Sequence, residues 1–373
     1  MTAALVIFFI SVLVIFYAYV GYPLLVFLLG RLSPHPVAAQ DMSSLPSVSV
    51  LLAVHNQADV ITRKLANLLS LEYPPGKLDI VVVSDGSTDA TNAKLSNFRD
   101  ARLRVLEISQ RGGKANALNQ GLRIISSEIV FFTDARQMIE PKALKALVSN
   151  FSDPAVGCAS GELILSDAQG TVGALGFYWR LEKLVRRLES ASGSVVGVTG
   201  AIYAARRDLL PELRPGTILD DVLIPMFVSK MGYRVVFEPR ARAWDALAAD
   251  PDREFRRKVR TLTGNYQLLV LAPWILSPVH PVFWRFVSHK LLRLAAPFAL
   301  AAALVSNLFL SGSFRIILAL QICFYVLGLI GWIPIRLGLL GRVTHPIRAF
   351  LILNAAAVAA FFNFLKGRWA VWV

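Results

Sequence analysis

Residues 3–30 are essentially free of charge and apolar throughout, and that stretch limits what the chain can be. A helix needs about 20 apolar residues to cross the hydrocarbon core of a bilayer, and this run exceeds that. A secretory leader would be shorter, with a basic start and a small-residue cleavage site. The run is therefore expected to be a retained anchor. Three more spans are expected at 294–310, 316–335 and 347–365, separated by short polar or basic connectors. Residues 268–287 are also apolar, but Pro273, Pro278 and Pro281 interrupt them, which predicts helices lying in the membrane interface. The whole 373-residue chain is 55% hydrophobic, too apolar for a purely soluble protein.

The net charge of +14 would suit a nucleic-acid binder if it were clustered in a soluble domain. Instead many cations flank the apolar runs: Arg31, Arg285, Lys290, Arg293, Arg336, Arg342, Arg348, Lys366 and Arg368. That distribution fits the excess of Lys and Arg on the cytoplasmic side of membrane proteins and contact with anionic membrane lipids. No nucleic-acid partner is expected. Residues 46–260 are thus expected in the cytoplasm, with Met1 on the far side. The basic tail then falls outside, so either one span is miscounted or the tail is an exception. Cys158 and Cys323 fall in a predicted strand and a predicted membrane helix, which argues against a disulfide framework or a cysteine metal site.

The middle block alternates short β-branched runs with amphipathic stretches. Strands are predicted at 47–54, 79–84, 103–108 and 129–133, and helices at 58–70, 89–99, 113–125 and from about Pro141. This pattern predicts a mostly parallel, Rossmann-like α/β sheet with helices on both faces. Ligands of such sheets collect at the carboxyl ends of the strands. His55-Asn56, the Ser84–Asp89 turn and Asp134 all fall at such ends.

Four stations carry the candidate chemistry. Asp85 ends a strand and Gly86 permits a tight turn. The aspartate can accept hydrogen bonds from a nucleotide, or simply close the turn while Asp89 or Thr88 caps the next helix. Arg111-Gly112-Gly113-Lys114 places a cation and free backbone donors at a helix start, which suits phosphate, although the full Walker spacing is absent. Asp134 follows Val130-Phe131-Phe132 and can hold Mg2+ or Mn2+, hard cations that take oxygen ligands and often only one or two carboxylates. Alternatively it caps a turn. Asp220 and Asp221 are candidates for a general base or a helix cap, and adjacent side chains point different ways, so at most one is expected to reach an acceptor. Of the basic run Arg256-Arg257-Lys258-Val259-Arg260, Arg257 and Arg260 are the candidates for neutralising a diphosphate, with lipid headgroups as the other use. Residues 177–188 have helical apolar spacing and are expected to form a core or interfacial helix.

In this order the motifs resemble the membrane-embedded family-2 glycosyltransferases of GT-A fold, a group that includes cellulose, hyaluronan and poly-N-acetylglucosamine synthases. The resemblance runs over residues 48–264 and rests on Ala53-Val54-His55-Asn56, the Asp85-Gly86-Ser87-Thr88-Asp89 turn, Gly113-Lys114-Ala115-Asn116-Ala117-Leu118-Asn119, and Asp220-Asp221 after Thr199-Gly200-Ala201. The ending Lys366-Gly367-Arg368-Trp369 is also similar. The resemblance implies a UDP-sugar donor, with Asn56, Asp85, Gly86 and Lys114 at its nucleotide, Asp134 at the metal, Asp221 as base, and inversion at the anomeric carbon. Two departures stand out. The Asp-Ala-Asp of relatives is Asp134-Ala135-Arg136 here, so one metal ligand is missing: either Asp134 alone anchors the metal or Arg136 partly supplies the charge. The Gln-x-x-Arg-Trp motif is reduced to Arg257-Lys258-Val259-Arg260-Thr261. The missing tryptophan weakens the case for long-chain synthesis.

The expected activity is hexosyl transfer to a growing polysaccharide or oligosaccharide of the cell envelope, from an enzyme in the cell (inner) membrane, with envelope-export proteins as further partners. The alternatives are single-sugar transfer to a lipid or lipid-linked acceptor, and a nucleotide-sensing transport or accessory subunit without catalysis. The expected organisation is an anchor and linker over 1–45, a catalytic domain over 46–264, interfacial helices over 265–293 and membrane helices over 294–373.

Overall fold

The structure is a computed structural model that describes residues 2–38, 44–166, 175–246, 251–332 and 338–368. Eight strands form one sheet: β1 (Val48–Val54), β2 (Leu78–Asp85), β3 (Leu103–Ile108), β4 (Ile129–Phe132), β5 (Met138–Ile139), β6 (Val156–Ser166), β7 (Tyr203–Arg206) and β8 (Arg234–Ala246). Their order is β3-β2-β1-β4-β7-β6-β8-β5.

The first half is the parallel sheet that the alternation predicts. β1 runs parallel to β2 and β4, and β2 runs parallel to β3. β1 and β2 are hydrophobic on both faces because helices cover both. Residues two apart share a face. Leu51, Val81 and Val83 accordingly pack with Leu118 of helix Lys114–Ile124, while Val50, Leu52 and Val82 pack with Ile61, Leu65 and Leu68 of helix Ile61–Leu69. Each such side chain contributes about 1.5–3 kcal/mol when fully buried. Leu51→Ala would leave a cavity costing about 2–5 kcal/mol.

Beyond β4 the sheet is mixed. β7 is antiparallel to both β4 and β6, β8 is parallel to β6, and β5 closes the edge antiparallel to β8. The strand order reverses between β2-β1 and β4, the kind of switch point where crevices open in α/β sheets.

Three described helices are long and apolar enough to cross a membrane: Thr2–Leu32, Phe283–Asn307 and Leu340–Leu365. Phe314–Ile330 is a shorter apolar helix. It covers most of the run expected at 316–335, whose last three residues lie outside the described set, as does Trp369 of the similar ending. The expected domain limits at 264 and 293 fall inside continuous helical stretches, Pro251–Leu271 and Phe283–Asn307. In the proline-interrupted segment, a short 3-10 turn, Pro273–Leu276, and the turns of residues 277–282 join those two helices.

Helix Leu175–Ala191 lies under the N-terminal helix. Its Val185 is buried with Tyr22 and Val26, and Leu181, Leu188 and Trp284 pack around them. This joins the apolar helices to the sheet domain and fits the helical spacing read at 177–188.

Candidate active site

The carboxyl ends of β1, β2 and β4 set the floor of the crevice. Asp85 is fully buried at the end of β2, and both its carboxylate oxygens are engaged. Gly112 N–H donates to Oδ1 at 2.8 Å and Gly113 N–H to Oδ2 at 2.7 Å. The backbone donors expected to be free for phosphate are therefore committed to Asp85. The reason is the fold of the turn, since Gly86 N–H bonds to Ile108 and brings residue 111 against it. Gly86 sits at φ 60°, and a Cβ there would lie 2.5 Å from Arg111 N. Only glycine fits that approach without strain.

His55 follows β1 and its Nδ1 lies 2.7 Å from the Asp85 carbonyl. Asn56, at φ 50°, accepts from Thr88 N–H at 2.8 Å. Asp89 accepts from Thr91 N–H at 2.9 Å and Ala58 N–H at 3.0 Å, so it is the residue that fastens this turn to the helix start. Asn56, Asp85 and Gly86 thus form one cross-braced rim.

Lys114 opens its helix and points into a cluster of acids. Its Nζ lies 3.0 Å from Asp134 Oδ1 and 3.2 Å from Asp220 Oδ1. Burial alone would lower the Lys114 ammonium, but Asp134, Asp220 and Asp221 hold it well above the usual lysine range. Asp220 is buried, with the Tyr203 hydroxyl at the edge of hydrogen-bond distance, 3.5 Å away. Asp221 turns instead to the Gly200 loop and accepts from Gly200 N–H at 3.3 Å. The expectation that the adjacent aspartates point apart matches this arrangement.

A Cβ placed on Gly200 would lie 3.4 Å from Asp221 Oδ2 and 3.6 Å from Asp134 Oδ2, so two carboxylates converge over one glycine. Burial first, then the Asp220 charge, pushes Asp221 up to about 6, and Lys114 opposes the rise. Such a carboxylate is ionised at neutral pH yet basic enough to take a proton.

Of the two readings of Arg136, the geometry shows it turned sideways, with Nη2 3.3 Å from Asp245 Oδ2 on β8. The Asp134 side chain is 41% exposed, with Oδ1 on Lys114. Among the described residues no set of three or more His, Cys, Asp or Glu side chains gathers in metal-ligating fashion. Asp134 Oδ2, the carboxylate oxygen turned away from Lys114, is of the hard oxygen type that would hold a Mg2+ or Mn2+ ion.

Arg257 and Arg260 lie on helix Pro251–Leu271. Arg257, Arg260, Gly264 and Gln267 recur at helical spacing and share one face. A Cβ on Gly264 would lie 2.6 Å from Leu219 Cγ, and Gln267 bonds both Ile218 N–H and the Gly216 carbonyl. This face is seated on the loop that leads into Asp220. The opposite face, with Phe255, Val259, Leu262 and Tyr266, packs on Ala356 and Ala360 of the last apolar helix. Arg257 pairs with Glu254 at 2.8 Å, whereas Arg260 Nε is buried with no hydrogen-bond partner among the described residues. Tyr203, stacked on Phe132 with centroids 4.5 Å apart, was not foreseen from sequence. A lone tyrosine after Gly200-Ala201-Ile202 gives no pattern to find it by.

Residues 49–214 match the family described as Glycosyl transferase family 2. Poly-beta-1,6-N-acetyl-D-glucosamine synthase of Staphylococcus aureus (strain MSSA476) is 25% identical over 237 residues, which is 62% of this chain and 57% of that protein. The Staphylococcus epidermidis synthase of the same name is 26% identical over 236 residues, 61% of this chain and 56% of that one. The matched region thus spans little more than half the length of these relatives. In structure, the mannosyltransferase PcManGT from Pyrobaculum calidifontis, solved in complex with GDP-Man and Mn2+, matches with TM-score 0.74 at 25% identity, covering 96% of this chain and 99% of that one.

Proposed function

From a chain that carries a family-2 glycosyltransferase domain of GT-A fold, with homology to polysaccharide synthases, we propose an inverting membrane enzyme that moves a hexosyl unit from a UDP-sugar to a hydroxyl of a growing saccharide. The observation that carries this reading is the convergence of Asp221 and Asp134 over Gly200, with Lys114 behind them. The acceptor hydroxyl oxygen attacks the anomeric carbon from the face opposite the nucleotide. The bond from that carbon to the diphosphate oxygen breaks, and the hydroxyl proton passes to the Asp221 carboxylate. Such a base contributes about 10²–10⁴-fold. Asn56, Asp85 and Gly86 shape the nucleotide end of the crevice.

Arg260, with Arg257 beside it on the same helical face, neutralises the departing nucleoside diphosphate; its Nε, without a hydrogen-bond partner among the described residues, supports that role. A Mg2+ or Mn2+ ion on Asp134 would supply further positive charge to the diphosphate. The three long apolar helices and the cations flanking them support an inner-membrane enzyme with its catalytic domain in the cytoplasm and its envelope product handed on to export partners.

A second reading has a specific support. PcManGT, which matches nearly the whole chain, was solved with GDP-Man, and Thr261 stands where processive synthases carry tryptophan. The tryptophan replacement favours transfer of a single sugar to a lipid or lipid-linked acceptor, and GDP-Man in PcManGT makes GDP-mannose a donor to test beside the UDP-sugars.

The test is nucleoside diphosphate release by the purified protein in vesicles, with a panel of UDP-sugars and GDP-mannose and with Mg2+ or Mn2+. Asp221→Asn and Asp134→Ala are run beside the wild type. Turnover of one donor, abolished in Asp221→Asn, is expected, and product length then separates the two readings. Nucleotide binding without turnover across acceptors would replace the enzyme with a nucleotide-sensing or accessory subunit.

A further inference from the structure

Helix Ile61–Leu69 buries Ile61, Leu65 and Leu68 against the sheet, and Lys64 lies on the same apolar stripe. Its accessibility is 0%. The ammonium donates to Thr133 Oγ1 at 2.8 Å and to the Gln137 carbonyl at 2.7 Å, the two ends of the turn that carries Asp134. Thr133 passes the restraint on, since its hydroxyl donates to the Ala201 carbonyl at 2.9 Å. Ala201 adjoins Gly200, whose N–H holds Asp221. From the other side, Gln137 Nε2 donates to the buried Asp245 at 2.7 Å.

We infer that Lys64 is a positioning residue for the transfer reaction: a buried amino group that clamps the Asp134 turn and, through Thr133, the Gly200 turn that aims Asp221. The inference rests on the glycosyltransferase reading above.

A lysine buried on an apolar stripe is costly to the fold. Burial pushes it down to about 7 against the counter-pull of Asp134, which lies close enough to act but outside ion-pair contact among the described residues. A role confined to stability would be served better by a methionine of similar volume, because burying an ionisable group outside an ion pair carries a desolvation cost that an apolar side chain does not. What methionine cannot do is hold both ends of the Asp134 turn at hydrogen-bond distance. Misplacement of catalytic groups by about 1 Å can cost about 10²-fold in rate.

The experiment measures Lys64→Met, Thr133→Val and the double variant for thermal midpoint, kcat, donor KM, and the midpoint shift produced by UDP or GDP with Mn2+. Expected are an unchanged or raised midpoint for Lys64→Met, kcat lowered by about 10²-fold with KM moved far less, and a weaker nucleotide–Mn2+ shift. The double variant should be no slower than the worse single one, because both remove the same link. Should Lys64→Met fail to fold, Thr133→Val, which keeps the packing, must show the kcat loss alone. Wild-type kcat in Lys64→Met, or losses that multiply in the double variant, would overturn the clamp while leaving the transferase reading intact. A wild type with neither turnover nor a nucleotide shift would remove the transferase reading and the clamp together.

Discussion

Among the described residues two clusters of charge, one partly and one almost wholly out of water, are balanced differently. At the crevice, one lysine faces three aspartates: Lys114 against Asp134, Asp220 and Asp221. At the junction with the apolar helices, two glutamates face an excess of cations. Glu182 accepts from Arg293 at 2.7 Å and His289 Nε2 at 3.1 Å, with Lys290 and Arg186 within 4 Å. Glu189 takes His289 Nδ1 at 2.8 Å and the Tyr22 hydroxyl. Arg285 is satisfied by the Glu189, Ser192 and Ser194 carbonyls.

Burial raises the carboxyl pKa in both places. At the junction His289 and the neighbouring cations overcome it, so Glu182 falls well below the ordinary range and Glu189 falls as well. At the crevice nothing does, and Asp221 rises to about 6. A compensated cluster fastens helices; an undercompensated one is left with proton affinity and unspent negative charge, which suits a base and a cation-bound diphosphate.

Breaking the crevice should cost activity and little stability. Asp221→Asn is expected to lower kcat by about 10²–10⁴-fold in the release assay, with a midpoint at or above wild type. Breaking the junction should do the reverse. Glu182→Gln strips the counter-charge from a buried group of cations and is expected to cost about 3–5 kcal/mol, read as a lowered denaturation midpoint in detergent, with kcat per folded molecule much less affected.

Smaller effects sharpen the contrast. In Gly264→Ala the added methyl meets Leu219, and overpacking of this kind costs about 1–3 kcal/mol. Because Leu219 leads into Asp220, kcat should fall along with the midpoint, linking the two regions.

The finest distinction is in pH. As the proposed base Asp221 has to be ionised, so kcat/KM is expected to rise with pH through about 6. Lys114→Met removes the opposing cation and should move that limb to higher pH in the residual activity. The stability signs are opposite. Asp221, raised, favours the folded state at low pH and loses that contribution as pH climbs from 3.8 toward about 6. Glu182 and Glu189, lowered, stabilise at neutral pH and lose it as pH falls below 4.5 through their depressed values. Acid unfolding monitored in Glu189→Gln should therefore begin from a lower midpoint and be less steep than in wild type.

The parallel half of the sheet was legible because its signal is local. β1, β2 and β4 are short runs of β-branched and aromatic residues between helical periods, and their ends place Asn56, Asp85 and Asp134 at one rim whatever the rest of the chain does. Helix Pro251–Leu271 was less legible. A basic run beside an apolar one suggests a boundary, yet its two stripes continue through Gly264 because each side has its own partner. Lys64 left only a faint trace, a lysine on an apolar stripe, which sequence alone cannot tell from a surface residue at the edge of that stripe.

The sequence by itself determined the apolar helices, the strand-end carboxylates and their order, since hydropathy over about 20 residues and a period of two are properties of adjacent residues. Only the tertiary structure decided that Asp85 binds Gly112 and Gly113, that Lys114 lies among Asp134, Asp220 and Asp221, and that Arg136 turns to Asp245. The reason is distance along the chain. A charge's pKa and partner depend on which other charges arrive within a few ångströms, and here those arrive from 20 to more than 100 residues away.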